Sequence, residues 1–333
     1  MSTLSPSLPL ADERLRRLLS GASLWGLLAV AAAVLPAVLG PYWAFVIGQA
    51  AVVSIIVLSL TLLTGFAGQV SLAQSAFVGA GAYTCAQLAQ RLGWNIFEAL
   101  PAAVIAGFVL GVLVGIPALR LRGIYLAIST LGLAVVAGDL VFNLPQLGGL
   151  NGISLQRPRG PLNLTSNQAM AYFCLALLGV LLFTLWRLRD SRTGWWLQAI
   201  RDDEKAAELA GVDVSFYKLL VFGYSGAAAA LGGALLGYLA LHLNPLDFNA
   251  LSSVSYLALV VVVGRRSLAG ALAGGALWVV IPQIAEGFGR SASEALPIAL
   301  PLLLIVGVFF TSGRIRRRPA LVLLAQGVRR GAA

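Results

Sequence analysis

The sequence predicts an all-α polytopic membrane protein, with about ten transmembrane helices and one short capped helix on a cytoplasmic loop. Three observations lead there. Hydrophobic residues make up 59% of the 333 residues and charged residues 11%, whereas a soluble globular domain carries about 25% charged residues. Apolar stretches repeatedly exceed the roughly 18 residues that a membrane-spanning helix needs. Between two of them lies one long polar island, residues 195–218.

Composition also narrows the chemistry. Both cysteines, Cys85 and Cys174, lie inside apolar runs and form no disulfide framework or metal spacing. The one histidine, His242, cannot make a metal site by itself. Without a Gly-Lys pair anywhere the chain holds no P-loop. A Ser-His-acid or zinc enzyme is hard to build from a single histidine. The chain therefore reads as a non-enzyme without a cofactor.

Residues 1–20 form a basic tail with Arg14, Arg16 and Arg17. The apolar run 21–39 is long and further spans follow it, so it reads as a first transmembrane helix rather than a cleaved signal. Gly40-Pro41 breaks the chain, and a second span covers residues 43–63. The glycine-rich segment 65–83, GFAGQVSLAQSAFVGAGAY, predicts an irregular entry into a third span ending near Gln90. A fourth span covers 101–117, with Pro101 placed where a helix start tolerates proline. Its Gly107, Gly111 and Gly115 make two overlapping G-x-x-x-G steps, which clear one face for a close helix neighbour. The fifth span covers 123–142. A Pro/Gly/Asn loop, 143–167, leads to a sixth span ending near Trp186.

The polar island follows. It holds both lysines, Lys205 and Lys218, and the acids Asp202, Asp203, Glu204, Glu208 and Asp213. Asp202 is a good N-cap residue, because its carboxylate can accept orphan N–H groups of a first turn. Ala206, Ala207, Leu209 and Ala210 build a short helix, and Gly211 supplies the left-handed residue that closes it. Asp213 or Ser215 then caps the seventh span, 216–241. An eighth run, 252–264, is too short to cross at 1.5 Å per residue. It either begins earlier or is half of a broken helix. A ninth span covers 268–285, a tenth 296–310, and a basic tail, 313–333, closes the chain. The transmembrane domain is thus 21–312, with the island loop at 188–215.

With a cytoplasmic N-terminus, alternate loops fall on alternate sides. The outer side then holds Arg91, Arg157, Arg159 and Arg290, and the inner side all the rest of the 23 basic residues. This is the bias that the positive-inside rule requires, and it puts the island in the cytoplasm. It also accounts for the net charge of +10 through orientation and anionic membrane lipid, at about 1 kcal/mol per surface cation, with no nucleic-acid role.

The acids beside the spans, Glu98, Asp139, Glu286 and Glu294, all fall near outer helix ends. An ion-coupled carrier usually keeps an ionisable group deep in the bundle, so the placement counts against ion coupling. The candidate passage lining is uncharged: Thr64, Gln69, Ser71, Gln74 and Ser75 in the glycine-rich segment, with Tyr125, Ser129 and Thr130 in the fifth span. For each of them singly, helix–helix hydrogen bonding is the alternative role. Clustered with Gly65, Gly68, Gly79 and Gly81, they outline a substrate passage.

Four segments carry a family resemblance, in order, over roughly residues 60–285. GFAGQVSLAQSAFVGAGAY (65–83), PALRLRGIYLAISTL (117–131), AIRDDEKAAELAGVDVSFYKLLVF (199–222) and NPLDFNALSSVSYLALVVVVG (244–264) resemble the integral-membrane permease subunit of bacterial ABC importers for branched-chain amino acids. The same family serves urea and short amides. The third segment is the most specific, since polar residue order carries it. The resemblance implies that the short helix is a coupling helix on which a separate ATPase subunit docks, with Arg201, Asp202, Glu204, Ala207, Gly211 and Lys218 at the matching positions. It implies a second related permease, an extracytoplasmic solute-binding protein and a bacterial inner-membrane location with both termini cytoplasmic. Two segments depart from the family pattern: GRRSLAGALAGG (264–275), where Arg265 and Arg266 replace flexible residues, and GRIRRRP (313–319). An ATP-independent channel or secondary carrier is the reading from another class.

Overall fold

In the computed structural model the helix α1 (Gly40–Thr61) is apolar on every side and buried over most of its length. A helix that is hydrophobic all round belongs inside a bundle. The structure describes residues 34–121, 123–157, 164–264 and 267–286. The predicted tails, Arg122, Arg159, Arg265, Arg266, Arg290, Glu294, the tenth span and most of the first lie outside the described residues. Glu286 closes the last described helix.

α1 runs into one wide π-helical turn, Leu62–Phe66, and the chain then breaks at residues 67–73 before α2 (Gln74–Leu92). The irregular entry expected from the glycines is present. α3 (Ile96–Ala118) follows, then α4 (Ile124–Val135), which widens into a second π turn, Val136–Val141. A loop carries the two-residue strand β1 (Ile153–Ser154). α5 (Asn167–Arg189) leads into two short helices, α6 (Arg192–Asp202) and α7 (Glu204–Leu209). The long α8 (Val214–Ala240) ends at β2 (His242–Leu243), and α9 (Ala250–Val263) and α10 (Leu268–Glu286) complete the described chain.

Two helices organise the bundle. α8 packs on α3, α2 and α1, while α1 packs on α10, α5 and α8. The predicted close neighbour of the G-x-x-x-G face is α8. A Cβ on Gly107 would strike Ala230 and Gly226, one on Gly111 would strike the Phe222 carbonyl, and one on Gly226 would strike Gly107 in return. Inside a membrane, dispersion contact of this kind drives helix association, because lipid tails are as apolar as leucine. Polar ties supplement it: Ser225 Oγ donates to the Ser59 carbonyl at 2.9 Å.

Among the described residues, five helical stretches are long and apolar enough to cross a membrane: Gly40–Phe66, Ile96–Ala118, Ile124–Val141, Asn167–Arg189 and Val214–Ala240. α9 is 14 residues, about 21 Å at 1.5 Å per residue. It starts two residues before the predicted run and stays short.

Two expectations change. The fourth span begins at Ile96 rather than Pro101, because Asn95 and Glu98 form a capping box, with the Asn95 N–H donating to Glu98 Oε2 at 3.1 Å. Pro101 therefore sits in the second turn, where its missing N–H costs one intrahelical bond. The stretch 192–202, read only as polar loop, is the helix α6.

Long-range contacts sort the helix ends onto two faces. On one, Asn167 Nδ2 donates to the Pro41 carbonyl at 2.9 Å, Gln90 Nε2 to the Ser154 carbonyl at 2.9 Å, and β1 pairs antiparallel with β2. On the other, the α6–α7 region meets the end of α1. Among the described residues, Arg91 and Arg157 lie at the first face, and Arg120, Arg187, Arg189, Arg192, Arg201, Lys205 and Lys218 at the second.

Candidate functional site: the polar island and the helix break beside it

The island is built from consecutive capping motifs. Ser191 Oγ accepts the Gly194 N–H at 3.2 Å and starts α6. Asp203, not Asp202, caps α7: its Oδ1 accepts the Lys205 N–H at 3.0 Å and the Ala206 N–H at 3.1 Å. Cap chemistry suits either acid. The choice falls to Asp203 because α6 continues through Asp202, whose carboxylate pairs with Arg201 at 2.7 Å.

α7 ends as its glycine predicts. Gly211 takes φ +84°, the Val212 N–H donates to the Ala207 carbonyl at 3.1 Å and the Gly211 N–H to the Glu208 carbonyl at 3.0 Å. These two bonds are a Schellman close. Its usual apolar contact is present, since Ala207 and Val212 pack with Ile200 and Val214 in a small separate core. Asp213 Oδ1 then caps α8 by accepting the Phe216 N–H at 3.0 Å. Ser215 is exposed and is not the cap.

A buried ion pair pins this unit to α8. Lys218 Nζ lies 2.7 Å from Glu204 Oε1, and the lysine side chain is 2% exposed. Such a pair positions more than it stabilises, because taking both charges out of water offsets most of their attraction. Arg201 makes the other connection. Its Nη1 donates to the Gly65 carbonyl at 2.7 Å, across 136 residues of sequence.

The six residues at coupling positions therefore gather in one place, with different orientations. Arg201, Glu204, Ala207 and Lys218 face the bundle, while Asp202 and Gly211 are exposed. The outward face of α7 consists of Lys205, Ala206, Glu208 and Leu209, and Leu209 is 91% exposed. Sequence reading did not single out Leu209. The signal was available, because at 100° per residue Leu209 stands opposite a buried Ala207.

The uncharged passage residues divide. Thr64, Ser71, Gln74, Ser75 and Thr130 are buried. Thr64 Oγ1 donates back to the Leu60 carbonyl at 2.7 Å, and Gln74 Nε2 donates to the Ile56 carbonyl at 3.1 Å and also meets Ser59 Oγ. Ser71 Oγ accepts the Ala73 N–H at 3.3 Å. Ser253 Oγ donates to Ser75 Oγ at 2.7 Å and accepts the Ser75 N–H at 2.8 Å. Thr130 Oγ1 accepts the Leu72 N–H at 2.9 Å. The bonds of Leu72, Gln74 and Ser75 tie the end of the break at 67–73 and the first residues of α2 to α4, α1 and α9. Gln69 is half-buried, and Tyr125 and Ser129 are exposed on α4.

Two cavities border this region. Ser129 and Thr130 line a groove of about 400 Å³ between α3 and α4, with Leu110, Leu113, Leu126 and Leu133. A second groove of about 490 Å³ runs between α2 and α4, past Ala76, Ala80, Thr84 and Gln87, to Tyr83 and Phe142. There Tyr83, Phe142 and Phe248 form an aromatic triad, with Tyr83 and Phe142 stacked at 4.9 Å and the other two pairs edge-on at 5.8 Å. The triad was missed in the sequence. Its hint was Gly79, four residues before Tyr83, whose absent side chain leaves room for the Phe142 ring.

Apolar helices joined end to end, with polar caps and basic residues gathered at one face, define a multi-pass all-α membrane protein. Residues 42–310 match the family described as branched-chain amino acid transport system, permease component. Two relatives are named high-affinity branched-chain amino acid transport system permease protein LivM, one from Salmonella typhimurium (strain LT2) and one from Escherichia coli (strain K12). Each is 30% identical over 274 residues, covering 74% of this chain. The match takes in 64% of each relative's length, less than two thirds. No solved structure matches. The chain belongs to the branched-chain amino acid permease family.

Proposed function

We propose that this chain is the transmembrane permease subunit of an ATP-driven ABC importer, carrying branched-chain amino acids, and that α7 is its coupling helix. The observation that supports this most is the build of α7. Caps, a small core and a buried ion pair hold it rigidly from behind, and its free face presents an exposed leucine between charged residues. A rigid helix with a large apolar residue outward suits insertion into a groove of a partner.

On this reading the island face is cytoplasmic, ATPase subunits dock there, and ten spans cross a bacterial inner membrane with both termini inside. A second related permease completes the passage, and the groove at Ser129 and Thr130 lies on the side that would meet it. The loop 143–167 on the opposite face receives a solute-binding protein. The tails 1–20 and 313–333 sit at the cytoplasmic surface against lipid headgroups. ATP hydrolysis belongs to the docked subunits.

Co-purification tests this. The membrane-extracted chain is expected to retain an ATPase subunit, and Leu209→Asp to reduce that retention at least tenfold while the amount of inserted permease stays unchanged. Solute movement by this chain alone in liposomes would establish a channel or secondary carrier instead. Uptake of urea or short amides, in place of leucine, isoleucine or valine, by the ATP-driven complex would move it to the amide branch of the family.

A further inference from the structure

We propose that Arg201 is a transmission residue, a latch that ties the α6–α7 unit to the break between α1 and α2. The proposal rests on the importer reading above and concerns how movement of α7 reaches the membrane interior.

Three independent contacts converge on this side chain. The π turn at the end of α1 leaves the Gly65 carbonyl without an ordinary α-helical partner, and Arg201 Nη1 occupies it at 2.7 Å. The same guanidinium holds Asp202 Oδ1 through Nε at 3.1 Å and Nη2 at 2.7 Å, which sets its plane. The aliphatic stem then lies directly over Gly68: a Cβ there would collide with Arg201 Cγ and stand 3.2 Å from both Cβ and Cδ. Gly68 also takes φ +68°, a conformation that strains L-residues. Glycine at this position thus serves both the turn and the passage of the arginine. The side chain is only 13% exposed although it sits at a polar face.

What Arg201 grips is connected onward. From Gly68 the chain folds back, with the Gln69 N–H donating to the Leu63 carbonyl at 3.0 Å. Leu72 then reaches Thr130 of α4, and Ser75 reaches Ser253 of α9. Behind Arg201, Ile200 belongs to the small core that includes Ala207. Displacement of α7 therefore moves Arg201, and Arg201 is bonded to the segment that joins α1, α2, α4 and α9. A continuous set of contacts is a route and not yet a coupling, so the measurement must read coupling itself.

The test uses the whole transporter with its ATPase subunits and binding protein in proteoliposomes, reading solute taken up per ATP hydrolysed. Arg201→Met and, separately, Gly68→Ala are expected to lower that ratio at least tenfold while ATPase co-purification stays within twofold. Arg201→Lys should restore part of it, because a lysine reaches one carbonyl but lacks the planar fork. If Arg201→Met does not accumulate in the membrane, Arg201→Lys and Gly68→Ala carry the test. Uptake per ATP within twofold of the unaltered protein would overturn the latch and leave the importer reading standing. Loss of ATPase retention in Arg201→Met would also overturn it, by assigning Arg201 to docking. An unaltered chain that retains no ATPase would remove the importer reading and the latch with it.

Discussion

α8, and α4 together with its π turn (Ile124–Val141), are both long and apolar enough to cross a membrane, yet their most apolar windows are 67% and 28% buried respectively. The difference lies in what each offers a neighbour. α8 presents glycines and alanines that let α3 and α2 approach to backbone contact, and it roots a buried lysine in α7. α4 presents Ile124, Tyr125 and Ile128 outward, its π turn presents Leu140, and the pair borders two grooves. Hydropathy says that a helix enters a membrane. Side-chain size and polar ties decide whether protein or lipid surrounds it there.

Substitutions in the two helices should therefore differ steeply. The largest effect is expected at the α3–α8 seam: Gly226→Val would drive a branched side chain into Gly107 and Gly111, and most folded protein should vanish from detergent extracts, read by size-exclusion yield. Glu204→Ala comes next. It strands the buried Lys218 charge, and about 3 kcal/mol should be lost, read as a lowered thermal midpoint; Glu204→Gln should lose less. In α4, Thr130→Val removes the acceptor for the Leu72 N–H, with an expected cost of about 1 kcal/mol. The smallest change is expected for Ile128→Ala on the open face of α4, within about 0.5 kcal/mol. A large loss for Ile128→Ala would show that protein, such as a second permease, covers this face.

The island shows how far local reading reaches. Gly211 as helix stop, Asp213 as cap and a short helix between them were all legible, because caps depend on residues within one turn. The cap at Asp203 was misplaced by one residue, since two adjacent acids satisfy the same rule and a tertiary pair engages the first. Arg201, Glu204 and Lys218 were all noted at matching positions and Gly65 in the glycine cluster, but the pairings Arg201–Gly65 and Lys218–Glu204 were not. The paired residues lie 136 and 14 positions apart, and no periodicity encodes which distant oxygen a side chain will meet. The same holds for β1 against β2, where Ser154 and His242 stand 88 residues apart.

What the sequence determined by itself was the membrane class, the order of the long apolar helices among the described residues, the shortness of α9, the glycine face of α3 and the asymmetry of basic charge. Each follows from composition or from spacing along one helix, where the bilayer's demand for internally bonded backbone leaves little choice. Tertiary structure alone decided which helices are enclosed and which lie open, where the grooves run, and that Arg201 turns inward to the end of α1. Those outcomes depend on shape matching and hydrogen bonding between segments far apart in the chain, and become definite only when the helices pack.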